Sequence, residues 1–286
     1  MPLLYYWRAD NYARDRRFGF GYHLNQNSGA MASSGAGDSL WAITRRTNDG
    51  LYVLAAELVV RAVTRNPPNY RYGRYRAWGD LARSRYFDID LAPNAEPLIR
   101  SLNVKAAGQH LGQAFQGQAA VRRLGEADHW VLADFAAYLP TLKRVALYPE
   151  DEFEARLIHG EAARSLVLRE EKAEYGRRLE YLFETLDVHR ARQHVERLQE
   201  LYAGRCQVCL YDPRGRYGHR LCHAHHIQWL SRGGEDELDN MVLVCPNHHA
   251  AVHRDDPPFD YASLSFAFSN GARERLASNE HLPVAA

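Results

Sequence analysis

Short apolar runs separated by turn-forming residues dominate the first hundred residues of the chain. Runs of this length that are rich in aromatic and β-branched residues predict strands. They occur at 3–9, 39–46, 51–63 and 85–89. Asn48-Asp49-Gly50, between the second and third runs, predicts a hairpin, whereas the paired prolines within 65–73 predict an irregular loop. The small residues of 27–37 predict either a linker between strands or a mobile loop.

The middle of the chain has the apolar period of helices. Four helices are predicted, at 104–124, 126–139, 150–186 and 188–202. The first two have apolar stripes that complete an N-terminal domain, and the last two carry the dense mixed charge of a solvated or interdomain helix. We therefore expect an N-terminal domain at 1–140, a helical connector at 141–203 and a C-terminal domain at 204–286.

Two strands followed by a helix are predicted in the C-terminal domain. The strand-like runs 221–227 and 241–245 enclose a loop with two glycines and several acids, which predicts an antiparallel pair with a long connection. A short helix is expected after the second run, and 259–277 predicts a closing strand and turn. The fold class expected for the whole chain is α+β.

One set of residues in this domain has the spacing of zinc ligands. Cys206-x-x-Cys209 and Cys245-x-x-His248 form the paired pattern of a structural zinc site with three cysteines and one histidine. Since all four cysteines of the chain lie within 206–245, a disulfide framework is not expected. Cys222 or His223 is an alternative fourth ligand in place of His248; otherwise Cys222 is expected to be a small buried residue of its strand.

A second set consists of four histidines and one asparagine. His249 and His253 are four residues apart on the predicted helix and therefore share one face. His225 and His226 are neighbours on a strand and point to opposite faces, so that one can bind a metal ion while the other addresses a water molecule. Hydrolysis of a phosphodiester needs an activated water, a cation and fixed orientation, and this set, with Asn240, has a candidate for each. A structural zinc ribbon alone would need only the cysteine set.

These residues and spacings resemble the HNH, or ββα-metal, endonucleases through AHHI at 224–227, DN at 239–240 and CPNHHAAVH at 245–253. The resemblance implies a ββα-metal zinc-knuckle domain that cleaves DNA. It also implies that His226 is the general base and that Asn240 keeps His226 in one tautomer and orientation. The residues implied to hold the catalytic ion are His225, His249 and His253.

Two departures from the family concern the metals. Many relatives carry an aspartate where His225 stands, and a fourth cysteine where this chain has His248. An imidazole-rich set suits zinc, nickel or cobalt better than magnesium. The expected cofactors are a structural Zn²⁺ and a catalytic divalent ion, which is Mg²⁺, Mn²⁺, Co²⁺, Ni²⁺ or Zn²⁺.

The N-terminal domain resembles the EVE and related PUA-like domains, which are small β-barrels that read modified bases. The resemblance rests on YYWRADNY at 5–12, GDSLWAI at 37–43 and GLYVLAAELVVRAV at 50–63. It implies a PUA-like β-barrel with flanking helices, in which aromatic rings hold a flipped base. The residues implied for this pocket are Tyr5, Tyr6, Trp7, Trp41 and Trp78, with Asn11 and Asp38 for polar readout. The alternative is that these aromatic residues form the core of the barrel.

Composition narrows the class of protein. The 286 residues are 46% hydrophobic and 25% charged, which is typical of a globular protein with two modest domains. No apolar run approaches the ~20 residues of a membrane span, and the start lacks the features of a secretory signal. We therefore expect a cytoplasmic protein without a membrane partner. The formal net charge of +1 does not by itself indicate DNA binding.

Together the two resemblances predict a modification-dependent restriction endonuclease, which reads a modified base in double-stranded DNA with one domain and cuts with the other. Cutting both strands with one active site per chain requires a homodimer or two visits, and the charged helices at 150–202 are the expected place for self-association. The alternatives are a homing or mobile-element nuclease that is indifferent to modification, a nicking or repair enzyme, and a non-enzymatic zinc protein that binds DNA.

Overall fold

The computed structural model describes residues 1–17, 23–80, 82–104, 106, 108–117, 120–142, 188–230 and 234–284. Its contacts divide the chain into two compact units, one with residues 1–16 and the described residues from 23 to 142, the other with Arg17 and the described residues from 188 to 284. Both contain helices and strands, so the fold is α+β. The helix predicted at 150–186 lies outside the described residues. None of the helices in the described part of the chain has the length and hydropathy needed to cross a membrane.

A curled seven-stranded sheet forms the N-terminal unit. Its strands are β1 (Leu3–Tyr6), β2 (His23–Gln26), β3 (Ser39–Arg45), β4 (Tyr52–Arg65), β5 (Tyr75–Gly79), β6 (Arg85–Tyr86) and β7 (Val121–Arg123). They lie in the order β2-β5-β4-β3-β1-β7, and β6 pairs with β4. The β1–β3 pair is parallel and the other pairs are antiparallel. A parallel pair needs a crossover, and here the chain between the two strands supplies it.

The long strand β4 causes the sheet to curl. Its first half pairs with β3 through the predicted hairpin, where Gly50 has a φ of 75°. Its second half pairs with β5. The register shifts once between β3 and β4 and again between Val60 and Ala62, where β4 changes partners. Such irregularities increase the local twist and bend a strand.

Both faces of the sheet are covered, which explains its nearly continuous apolar strands. The helices of this unit are α1 (Ala9–Arg17), α2 (Gly29–Ala32), α3 (Glu96–Ser101) and α4 (Glu126–Ala137). Leu3 and Tyr5 belong to a core on one face with Met31 of α2. Leu4 belongs to a core on the other face with Leu132 of α4. The alternation along β1 is thus between two buried faces.

One prediction for this unit was wrong. The predicted helix at 104–124 is replaced by a 3-10 turn at Leu111–Ala114 and by strand β7. Gly108 and Gly117 adopt positive φ angles of 141° and 58°, which interrupt a helix, and the end of the segment pairs with β1. Of the two alternatives for 27–37, the structure agrees with a linker between strands, since the segment joins β2 to β3, but it contains the short helix α2 with a completely buried Met31. The short helix α3 and the strands β2 and β5 were not predicted.

The C-terminal unit contains a β-hairpin followed by a helix, as the sequence predicted. Its elements are α5 (Val188–Leu201), α6 (Pro213–Tyr217), β8 (His223–His226), β9 (Met241–Val244), α7 (Pro246–Asp255), β10 (Phe259–Asp260), β11 (Ser265–Ala267) and β12 (Arg273–Arg275). β8 and β9 are antiparallel. The predicted closing strand and turn is a sheet of three short strands, β10-β11-β12.

One apolar core joins these elements. Leu198 of α5, Val242 of β9, Val252 of α7 and Phe266 of β11 belong to the same buried cluster. The apolar side of α7 therefore packs against the hairpin. This packing sets the distance between the histidines of α7 and those of β8.

Candidate metal centres

Three cysteines and one histidine converge where α7 begins. The Sγ atom of Cys245 lies 3.2 Å from Nδ1 of His248 and 4.0 Å from the Sγ atom of Cys209. The Sγ atom of Cys206 lies 3.6 Å from the same Nδ1. All four ligand atoms lie within 4.8 Å of one another.

Backbone hydrogen bonds hold the two halves of this quartet together. The amide of Gln207 donates to the carbonyl of Leu243 in β9, and the side chain of Gln207 accepts from the amide of Leu243. The first Cys-x-x-Cys turn is thereby attached to the strand that leads into Cys245. Pro246 occupies the first turn of α7, where its missing N–H costs nothing.

The quartet fits a tetrahedral zinc ion. Zinc bonds of about 2.3 Å to sulfur and about 2.0 Å to nitrogen place two sulfurs about 3.8 Å apart and a sulfur and a nitrogen about 3.5 Å apart. The observed separations are close to these values. Burial raises the pKa of the Cys206 thiol to about 12, so a thiolate at this position requires a nearby cation. The alternative ligands Cys222 and His223 are not part of this group among the described residues.

A second group consists of His225 from β8 and His249 and His253 from α7. The Nε2 atoms of His249 and His253 lie 3.1 Å apart, and the ligand atoms of all three residues lie within 4.8 Å of one another. The ring of His225 lies 4.8 Å from that of His253, between centroids. The hairpin thus supplies one ligand of a metal site, and the helix supplies two.

The chemistry of this group fits a metal ion. His225 is buried, and its Nε2 atom has no hydrogen-bond partner among the described residues. Burial and the neighbouring histidines lower the pKa of His225 well below its usual value, and the same two causes lower the pKa of His249 to about 4. Neutral imidazoles with unused nitrogens are the form in which histidine binds metals.

His226, the neighbour of His225 on β8, is not part of this group among the described residues. Its Nε2 atom lies 3.0 Å from Oδ1 of Asp236, and both side chains are 8% exposed. Asp236 belongs to the loop between β8 and β9. The hairpin therefore presents two adjacent histidines, of which one lies beside a carboxylate and the other belongs to a group of three histidines.

Asn240 bridges the same loop. Its Oδ1 accepts a hydrogen bond from the amide of Gln228, and its Nδ2 donates to the carbonyls of Gln228 and Glu235, each at 2.8 Å. Gly234 is needed nearby, because a Cβ atom there would lie 2.0 Å from the carbonyl oxygen of Gln228. Asn240 thus connects the end of β8 to the residue that precedes Asp236.

Two residues of this site were missed by the sequence analysis. Asp236 is one of several acids in its loop, and no spacing distinguishes it from the exposed ones. Trp229 is buried, and its ring packs edge-on against those of His225 and His253. A tryptophan three residues after a paired histidine is a signal, but it predicts packing as readily as contact with a metal site.

The N-terminal unit contains a cavity of about 800 Å³. Three of the predicted pocket residues line it, namely Tyr5, Tyr6 and Asn11. Its wall also includes Arg8, Asp10, Gln26, Arg45, Tyr52, Gly112 and Phe115. The rings of Tyr6 and Tyr52 pack against each other with 5.9 Å between centroids. The cavity therefore combines an aromatic wall with amide and charged groups.

The other predicted pocket residues have different positions. The indole N–H groups of Trp7, Trp41 and Trp78 donate to Asp15, His129 and Thr64, respectively. All three rings are buried, and none lines this cavity in the described part of the unit. The alternative interpretation, that these tryptophans form the core, is the one that the structure favours. Asp38 accepts from the amide of Gly35 and pairs with the amino terminus, which keeps it in a turn.

The comparisons with known proteins concern the C-terminal unit. Residues 206–255 match the model of the HNH endonuclease family. The comparison with curated proteins gave no match. The matched residues include both groups of metal-ligand side chains and the loop with Asp236 and Asn240. This part of the chain is an HNH endonuclease domain, and the protein is a metal-dependent nuclease that hydrolyses DNA.

Proposed function

We propose that the protein is a modification-dependent restriction endonuclease, in which the N-terminal unit reads a modified base and the HNH domain hydrolyses the phosphodiester. The observation that carries the catalytic part is the arrangement around β8. His225 lies with two further histidines, while its neighbour His226 is paired with a carboxylate. Adjacent residues of one strand thus supply a ligand for a cation and a base for a water molecule.

His226 is the general base in this proposal. It takes a proton from the water molecule that attacks phosphorus, and histidine is the side chain used most often for such a transfer. Asn240 contributes through the loop, since its three hydrogen bonds fix the segment that faces His226.

His225, His249 and His253 would hold the catalytic divalent ion. When bound, this ion would stabilise negative charge on the phosphate and on the leaving oxygen. The three residues supply imidazole nitrogens only, a donor set that favours zinc, cobalt or nickel over magnesium. Trp229 keeps the rings of His225 and His253 in place by edge contacts.

Cys206, Cys209, Cys245 and His248 would hold a structural zinc ion. This ion would tie the Cys-x-x-Cys turn to the start of α7. Because α7 carries His249 and His253, the zinc site would also fix the position of these two ligands relative to His225 on β8. Structural zinc of this kind supplies folding free energy to small domains.

The cavity of the N-terminal unit is the proposed place of the modified base. Tyr6 and Tyr52 pack on each other, so a base would lie against Tyr6 rather than between the two rings. Asn11 and Gln26 supply amide groups that can form hydrogen bonds with the edge of a base. Arg8 and Arg45 stand at the same cavity and can contact phosphates.

Plasmid cleavage tests the proposal. Unmodified plasmid and matched plasmids with methylcytosine, hydroxymethylcytosine or methyladenine are incubated with Mg²⁺, Mn²⁺, Co²⁺, Ni²⁺ or Zn²⁺. The wild type is compared with His226→Ala and with His219→Ala, which removes an exposed histidine of the same domain. We expect cleavage of one modified plasmid by the wild type and His219→Ala, and none by His226→Ala.

The other outcomes separate the alternatives. Cleavage of every plasmid that depends on His226 would keep the nuclease and reject the reader, as for a homing enzyme. Products with one broken strand only would indicate a nicking or repair enzyme. Full activity of His226→Ala would reject the role of His226 as the base.

A further inference from the structure

His226 and Asp236 form an enclosed pairing of a histidine with a carboxylate. The Nε2–Oδ1 distance is 3.0 Å, and each side chain is 8% exposed. For comparison, the pairing of His194 with Glu237 is longer, at 3.9 Å, and Glu237 is 48% exposed. A short contact between groups removed from water holds its geometry far better than an exposed one.

The loop around Asp236 is built to keep this carboxylate in place. The amide of Gly234 donates to the carbonyl of Trp229 at 2.9 Å, which closes the chain back on itself. Asn240 then fixes the carbonyl of Glu235, the residue immediately before Asp236, and also both backbone groups of Gln228. The hydrogen bonds of the Gly234 amide and the Glu235 carbonyl therefore fix the backbone immediately before Asp236, which holds Asp236 beside His226.

A carboxylate can only accept a hydrogen bond, so this contact determines the tautomer of the imidazole. Nε2 of His226 carries the hydrogen, and the lone pair of the neutral ring is on Nδ1. We propose that Asp236 is the positioning residue of the nuclease, which holds His226 in the tautomer and orientation that accept a proton at Nδ1. This inference rests on the proposed role of His226 as the general base.

The proton transfer balances in the following way. Water loses one proton to Nδ1 of His226, and its oxygen forms a bond to phosphorus as the bond from phosphorus to the 3′ oxygen breaks. The imidazole becomes an imidazolium with hydrogen on both nitrogens, and Asp236 accepts from one of them. The negative carboxylate stabilises this cation, since both side chains are largely removed from bulk solvent. The 3′ oxygen leaves with the electron pair of the broken bond and takes a proton from solvent, and the imidazolium returns its proton to solvent.

The test compares Asp236→Asn, Asp236→Glu and the wild type under single-turnover conditions with saturating DNA. Glu237→Gln serves as the matched control, because it removes one negative charge from the exposed side of the same loop. We expect Asp236→Asn to lower the rate of cleavage 10- to 100-fold, the usual effect of losing a partner of this kind. The DNA dissociation constant, bound metal and melting temperature should stay unchanged, and Asp236→Glu should recover part of the rate.

Spectroscopy distinguishes a positioning role from a structural one. In ¹⁵N spectra of histidine side chains, the signals of His226 are assigned by their loss in His226→Ala. The wild type should show hydrogen on Nε2, and Asp236→Asn should show a change of tautomer or a mixture, since an amide can donate as well as accept.

Three results would overturn the inference or its basis, and they can be told apart. If Asp236→Asn cleaves as fast as Glu237→Gln while His226→Ala is inactive, the base stands and Asp236 has no part in positioning it. A rate above that of the wild type would mean that Asp236 covers the base instead of orienting it. If His226→Ala retains activity, the proposed function itself fails.

Discussion

Adjacent histidines with different surroundings are the central feature of this molecule at the scale of the residue. His225 is buried with an unused nitrogen beside two other imidazoles, while His226 is paired with a carboxylate. The alternation of side chains along a strand predicted different surroundings for the two rings. It could not predict the partner of His226, because Asp236 reaches it only through a loop whose shape depends on contacts with Asn240.

Asn240→Ala tests the loop through its stability. The variant leaves the amide of Gln228 and the carbonyls of Gln228 and Glu235 without their side-chain partner. We expect the free energy of unfolding to fall by about 2 to 3 kcal/mol, together with the rate of cleavage, as measured by denaturant titration and single-turnover assays. Asn270→Ala, which removes one exposed contact with the amide of Ala272, is the control and should change neither. A fully stable Asn240→Ala would contradict the bridging role.

Gly112→Ala tests the cavity of the N-terminal unit. A Cβ atom at this position would lie 2.9 Å from the ring of Tyr6 and 3.3 Å from the hydroxyl of Tyr52. The ring of Tyr6, which lines the cavity, must therefore shift, and we expect the preference for modified over unmodified DNA to disappear in fluorescence-anisotropy titrations. Gly29→Ala meets no atom within 4 Å and is the matched control. An unchanged preference in Gly112→Ala would place the reader elsewhere.

At the scale of the element, the sequence predicted best where one period was unambiguous. The helices at 126–139 and 188–202, the hairpin around Gly50 and the C-terminal strand–strand–helix order were confirmed. The segment 104–124 has a helical spacing of apolar residues, but its glycines and its pairing with β1 override that local preference. β5 was missed because Arg and Tyr alternate there at the edge of a loop, and only pairing with β4 and β2 identifies it as a strand.

Cys206→Ser tests whether the fold of the C-terminal unit depends on zinc. Cys206→Ser removes one member of the quartet that ties the first knuckle to α7, so we expect the chain to lose one zinc ion. The melting transition of the C-terminal unit should become broad or disappear, because that ion supplies folding free energy. Zinc content by atomic absorption and circular dichroism melting are the measurements.

Cys222→Ala is the matched control for this prediction. Cys222 is buried in the same core, but it lies outside the quartet among the described residues. It should keep its zinc and lose only the stability that belongs to a small buried side chain. Loss of zinc in Cys222→Ala with retention in His248→Ala would show that Cys222 is the fourth ligand.

At the scale of the whole molecule, the described residues contain one group of three histidines and hence one candidate catalytic centre per chain. The two strands of a DNA duplex run in opposite directions, so one centre meets them in two orientations. Cleavage of both therefore needs either two copies related by a twofold axis or two successive encounters. The charged stretch at 150–202 was expected to mediate self-association. The structure describes only its last part, α5 and Tyr202.

Mixing active and inactive chains distinguishes these two routes. A fixed amount of wild type is combined with increasing amounts of His226→Ala under conditions that allow chains to exchange, with DNA in large excess so that the variant does not compete for substrate. If the enzyme acts as a dimer, about half of the dimers in an equal mixture contain one active centre. Such dimers cut one strand, so we expect nicked plasmid to accumulate while the rate of linear product per wild-type chain falls. If the enzyme acts as a monomer that visits twice, added His226→Ala leaves both rates unchanged.

The control is a double variant, His226→Ala with Cys206→Ser, whose nuclease domain should be unfolded. If chains pair through that domain, the double variant should not change the ratio of nicked to linear product.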